Sequence, residues 1–170
     1  HRKPLQILAL RPGRKRAPCP CRRGGGLRSK GLSVLNLEIP RDILDEIVEQ
    51  ARAELPNEAC GILAGQTRRV WKLYKMTNTD RSGVHFMMAP AEQFEVARAI
   101  RAAGLEMLAV YHSHPETPAK PSDEDVRLAL TPGAAHLIVS LQDRDHPCVK
   151  GFEIGDGHVA EIDIHFVDVT

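Results

Sequence analysis

The sequence contains no apolar run approaching the ~18 residues of a membrane-spanning helix, and Leu5 to Leu10 is too short for the core of a secretion signal. Cysteine is scarce: two of the four stand in Cys19-Pro20-Cys21, and Cys60 and Cys148 lie far apart. That spacing is neither a disulfide framework nor the two Cys-x-x-Cys pairs of a zinc ribbon. These absences point to a soluble protein of a reducing compartment, the cytoplasm by default. Acidic residues are missing from residues 1–31, which hold ten Lys and Arg, whereas the rest of the chain carries 13 basic against 22 acidic side chains. The folded part is therefore net acidic, which argues against a nucleic-acid footprint on it.

Residues 1–31, rich in Arg, Gly and Pro and without apolar periodicity, read as a basic, disordered N-terminal extension. Residues 32–170 read as one domain. Leu32, Val34, Leu35, Leu37 and Ile39 suggest a strand, and Pro40 introduces a helix with Ile43, Leu44, Ile47, Val48, Ala51 and Leu55 on one face. A strand over 59–64, a turn at Gly65 and a strand through Val70 to Tyr74 follow. Polar residues 78–83 lead to a short extended stretch at 85–88, and a helix over about 91–103 turns Phe94, Ala97 and Ile100 inward, stopped by Gly104. Leu105 to Tyr111 is an apolar strand that runs into His112-Ser113-His114-Pro115. A third helix runs from Ser122 to about Leu130, a buried strand spans 135–140, and strands at 149–154 and 158–167 pair across Gly155-Asp156-Gly157. The fold class is α/β, a mixed sheet layered with helices.

His112 and His114 are two apart in an extended segment, so their imidazoles project to one side. Asp125 follows Ser122 by three positions at a helix start and supplies a third ligand. Two His and one carboxylate leave a fourth tetrahedral position open, the layout of a catalytic rather than a structural zinc site. Zinc brings the pKa of a bound water from about 15.7 to roughly 7. Glu58, flanked by apolar sequence, is placed for its carboxyl pKa to rise toward the working range of a general base. Ser122 can donate to the oxyanion of a tetrahedral intermediate. A plainer reading of Pro121-Ser122-Asp123-Glu124-Asp125 is a helix cap, and capping is compatible with catalysis. His136 and His165 read as core or edge histidines, His85, His146 and His158 as solvated turn residues, and Cys60 as inert packing.

Glu58, His112-Ser113-His114-Pro115, seven residues between His114 and Ser122, then two before Asp125, resemble the JAMM motif of the MPN+ metallopeptidases, and every position is filled. Glu58 to Gly65, Phe86 to Pro90, and Tyr111 before the histidines are similar to the short prokaryotic members; the likeness covers about residues 34–165. The resemblance implies a single MPN-like domain of cytidine-deaminase-like architecture. It implies one Zn2+ per chain on His112, His114 and Asp125, Glu58 as acid/base, and Ser122 as oxyanion donor. It further implies hydrolysis of a peptide or isopeptide bond after the C-terminal Gly-Gly of a ubiquitin-like or sulfur-carrier protein, such as release of a C-terminal cysteine adduct. It leaves room for a homodimer.

Two other readings compete. A non-catalytic MPN scaffold typically lacks the metal motif that is intact here. A zinc deaminase needs a Pro-Cys-x-x-Cys and a zincin needs His-Glu-x-x-His, and both are absent.

Overall fold

The computed structural model describes residues 36–168, so the basic segment 1–31 and the expected strand residues 32–35 lie outside the described part. Seven strands and three helices follow in the order β1 Asn36–Pro40, α1 Arg41–Ala53, β2 Cys60–Gln66, β3 Arg69–Met76, α2 Pro90–Ala102, β4 Glu106–His114, α3 Asp123–Arg127, β5 Ala135–Ser140, β6 Cys148–Gly155 and β7 His158–Val167. The strands form one mixed sheet in the order β1-β3-β2-β4-β5-β6-β7, and the sheet closes on itself. The mixed sheet layered with helices is as expected from sequence; its closure was not part of that expectation, and the cytidine-deaminase-like comparison stays unconfirmed. The join is made by β1, which pairs in parallel with β7 over five positions and with β3 in the register Glu38↔Arg69, the Glu38 N–H donating to the Arg68 carbonyl at 2.9 Å. No helix among the described residues is long and apolar enough to cross a membrane.

Helices cover both faces of the central strands. Ile43, Ile47 and Ala51 of α1 pack with Leu63, Tyr111, Leu137 and Val139, whereas Ile62 and Ala64 point the other way, toward Ile100 of α2. β5 turns Ile138 toward Val126 and Ala129 around α3. Strands buried on both faces favour apolar side chains at successive positions, which is why 59–64 is a continuous apolar run and 135–140 is apolar but for the buried His136 and Ser140. Side chains such as Ile47 and Leu63, at 1% and 0% exposure, each contribute about 1.5–3 kcal/mol by leaving water.

Local departures have local causes. The β2–β3 turn falls at Thr67-Arg68, both left-handed at φ 48° and 71°, and not at Gly65. Gly65 instead sits at a register shift in the β2–β3 ladder, where an added Cβ would strike the Arg69 carbonyl. The stretch 85–88 makes only an isolated bridge, Asn78↔Met88, rather than a strand. In α2 Val96 and Ile100, four apart, share the inward face; Phe94 lies off it, 63% exposed, beneath the Arg98 guanidinium. Helix α3 ends at Arg127, earlier than expected.

Candidate metal centre

Strand β4 continues three residues past its apolar run because β5 lies parallel beside it and pairs His112↔Ile138, Ser113↔Val139 and His114↔Ser140. Extended backbone then puts His112 and His114 on one face and Ser113 on the other. Asp125 is delivered by α3. Its start is fixed by a capping box in which the Asp125 N–H donates to Ser122 Oγ at 3.1 Å and the Ser122 N–H donates to Asp125 Oδ2 at 2.7 Å. One ligand-type atom from each of His112, His114 and Asp125 falls within 4.8 Å of the others.

The spacing of these atoms tests whether they fit an ion. Tetrahedral zinc with bonds of about 2.0–2.1 Å holds neighbouring donors about 3.3 Å apart. Here the two Nε2 atoms are 3.0 Å apart, His112 Nε2 lies 3.2 Å from Asp125 Oδ1, and His114 Nε2 lies 3.5 Å from Asp125 Oδ2. His114 Nδ1 is 3.0 Å from the Pro118 carbonyl, and donating to it leaves the Nε2 lone pair free for a cation. The donor set fits a borderline ion of the zinc kind.

Electrostatics agree with that fit. Burial pushes the His112 pKa down, outweighing Asp125, and keeps the ring neutral as a ligand must be. Burial also opposes charge on His114, yet Asp125, the Pro118 carbonyl and Glu58 together leave its pKa raised. Burial opposes charge on Asp125 too, yet the facing His112 and His114 imidazoles and the Ser122 N–H hold its carboxyl well below the usual carboxylate range. Glu58, 3% exposed at the entrance to β2, is pushed up to about 7, chiefly by burial. The centre thus gathers acceptors and negative charge around a point that suits a cation.

Residues 40–149 match the family described as prokaryotic homologs of the JAB domain. The chain belongs to that family. A CysO-cysteine peptidase of Mycobacterium tuberculosis is 36% identical over 138 residues, covering 80% of this chain and 94% of the relative. A desampylase of Haloferax volcanii is 34% identical, over 64% of this chain and 83% of its own. The solution structure of a Desulfitobacterium hafniense protein, 39% identical, superposes with a TM-score of 0.73 over 78% of this chain and 94% of that one.

Within this JAB domain the five residues singled out by sequence fall as follows. His112, His114 and Asp125 converge, Glu58 stands close enough to feel the charges of His114 and Asp125, and the Ser122 hydroxyl donates to Asp125 Oδ2 at 2.8 Å. Three neighbours were given no role from sequence. Phe86 stacks on His112 with ring centroids 4.7 Å apart. Ser113 and Asn78, both buried, bind the backbone at 58–59. Each has a polar or aromatic side chain in a stretch read only for turns or ligands, so its partner appears only after folding. Of the other histidines, His136, buried in β5, stands close enough to feel the charges of His112 and Asp125, whereas His165 is exposed and His85 and His146 pair with Asp80 and Asp143.

Proposed function

We propose that this JAB-domain protein is a zinc-dependent hydrolase cleaving the bond that follows the C-terminal Gly-Gly of a ubiquitin-like or sulfur-carrier protein. The observation that carries the reading is the convergence of His112, His114 and Asp125, which offer one ligand atom each within 4.8 Å of one another, with Glu58 buried nearby. His112, His114 and Asp125 would hold one Zn2+, which when bound supplies Lewis acidity toward water and the scissile carbonyl.

The chain's own residues do the rest. Glu58, with a carboxyl pKa near 7, accepts the proton of the attacking water and returns it to the departing amine; near neutrality such a group is matched to both transfers. Ser122 holds Asp125 through its hydroxyl, and turning that proton toward the substrate makes it a donor to the oxyanion. An extended Gly-Gly tail has no side chains to obstruct a narrow approach and can add main-chain hydrogen bonds. A cysteine adduct is the favoured leaving group over an isopeptide-linked lysine, because the relative named for CysO-cysteine matches at higher identity and over more of its length than the desampylase.

The test is intact mass after incubating the zinc-loaded chain with a CysO–cysteine adduct and, separately, a Gly-Gly–lysine isopeptide. Loss of the cysteine adduct is expected, with Glu58→Gln slower by about 10²–10⁴-fold. A Glu58→Gln variant as fast as the parent would remove the acid/base role. No cleavage of either substrate by a zinc-loaded sample would favour the scaffold reading.

A further inference from the structure

Glu58 belongs to neither α1 nor β2; it sits in the connection between them, where no regular ladder holds its backbone. Its peptide groups are nonetheless all bonded. The Glu58 N–H donates to the Ser82 carbonyl at 2.7 Å and the Ala59 carbonyl accepts from the Ser113 N–H at 2.9 Å. The other two bonds come from side chains. Asn78 Nδ2 donates to the Glu58 carbonyl at 3.0 Å, and the Ala59 N–H donates to Ser113 Oγ at 2.8 Å.

Both side chains tie this peptide to the metal-centre residues. Ser113 lies between His112 and His114, 1% exposed, on the strand face opposite the imidazoles. Asn78 uses its amide four ways: besides Glu58 it donates to the His85 carbonyl at 3.3 Å and accepts from the Asp80 and Met87 N–H groups at 3.1 Å each. It thereby folds the loop carrying Phe86, whose ring lies on His112. We propose that Ser113 and Asn78 are positioning residues that hold the Glu58–Ala59 peptide in register with the strand bearing His112 and His114, and so fix where the Glu58 carboxylate stands. The inference rests on Glu58 being the acid/base. Buried bonds of this kind are not readily replaced by water, so losing one lets the base drift, and misplacements near 1 Å cost about 10²-fold in rate.

The test uses the full zinc-loaded chain with Ser113→Ala, Ser113→Thr and Asn78→Asp, each also combined with Glu58→Gln. Asp at 78 keeps both acceptor contacts and removes both donations. Read out are kcat and KM on the CysO–cysteine adduct, zinc retention against a chelator, and hydrogen exchange at the Ala59 amide. Ser113→Ala and Asn78→Asp should lower kcat about 10- to 100-fold with zinc retained and KM little changed. Ser113→Ala should also speed Ala59 exchange, and Ser113→Thr should restore both. In the Glu58→Gln background neither change should cost more than about twofold. A Ser113→Ala enzyme with parental kcat, or with an equal loss in both backgrounds, overturns the proposal. A fully active Glu58→Gln parent instead fails the acid/base reading on which it rests. If the adduct is not cleaved at all, Ala59 exchange decides: unchanged protection in Ser113→Ala overturns the clamp, and lost protection restored by Thr upholds it.

Discussion

At the scale of single residues, the chain keeps a carboxyl group largely withdrawn from bulk water. Glu58 ionises near 4.5 when unfolded and near 7 when folded, because burial disfavours its charged form. The folded chain therefore holds this proton more tightly than the unfolded one. Stability that is fully present below about pH 4.5 is lost as pH rises through about 7, with a ceiling of about 3 kcal/mol. In chelator-stripped protein, Glu58→Gln should thus be more stable than the parent at about pH 8 and gain much less at about pH 5, read by urea unfolding. An equal effect of the substitution at both pH values would contradict the burial. A base kept costly in the resting state is the expected signature of a site built for proton transfer.

At the scale of elements, the frame behind the site depends on close approach between strands and helix. Tyr111 in β4 lies across Gly61 of β2 and donates its hydroxyl to Gln50 of α1, and Gln50 in turn donates to the Cys60 carbonyl at 3.3 Å. A Cβ on Gly61 would run into the tyrosine ring and hydroxyl. Gly61→Ala should lower stability by about 1–3 kcal/mol, seen as a lower urea midpoint. Patterns confined to neighbouring residues could be read from sequence: the buried strand at 135–140, the hairpin at Gly155-Asp156-Gly157, and the cap at Ser122 with Asp125. The extended course of His112 to His114 was legible too, but not the partner strand that holds it, since the pairing with β5 joins residues distant in the chain. The inward face of α2 was misread for a related reason: two competing apolar stripes, 94-97-100 and 96-100, are separated only by where the sheet lies.

At the scale of the whole molecule, closure of the sheet is what sequence could least reveal, since β1 meets β7 from the opposite end of the chain. The metal-type residues were legible because two of them share one strand and the third follows a fixed helix start; their convergence needed the β4–β5 pairing and α3 together. Helices and closure leave β2, β4 and β5 packed on both faces; β4 carries both imidazoles, whereas Asp125 comes from α3 and Glu58 from the connection before β2, so packing resists displacement of the histidines most directly. The central claim is that His112, His114 and Asp125 make one zinc site. It is tested most directly by elemental analysis of zinc after exhaustive dialysis of the parent, Glu58→Gln and Asp125→Ala chains. One zinc per chain in the first two and little or none in Asp125→Ala is the predicted result; zinc kept by Asp125→Ala, or absent from the parent after loading, would contradict the account.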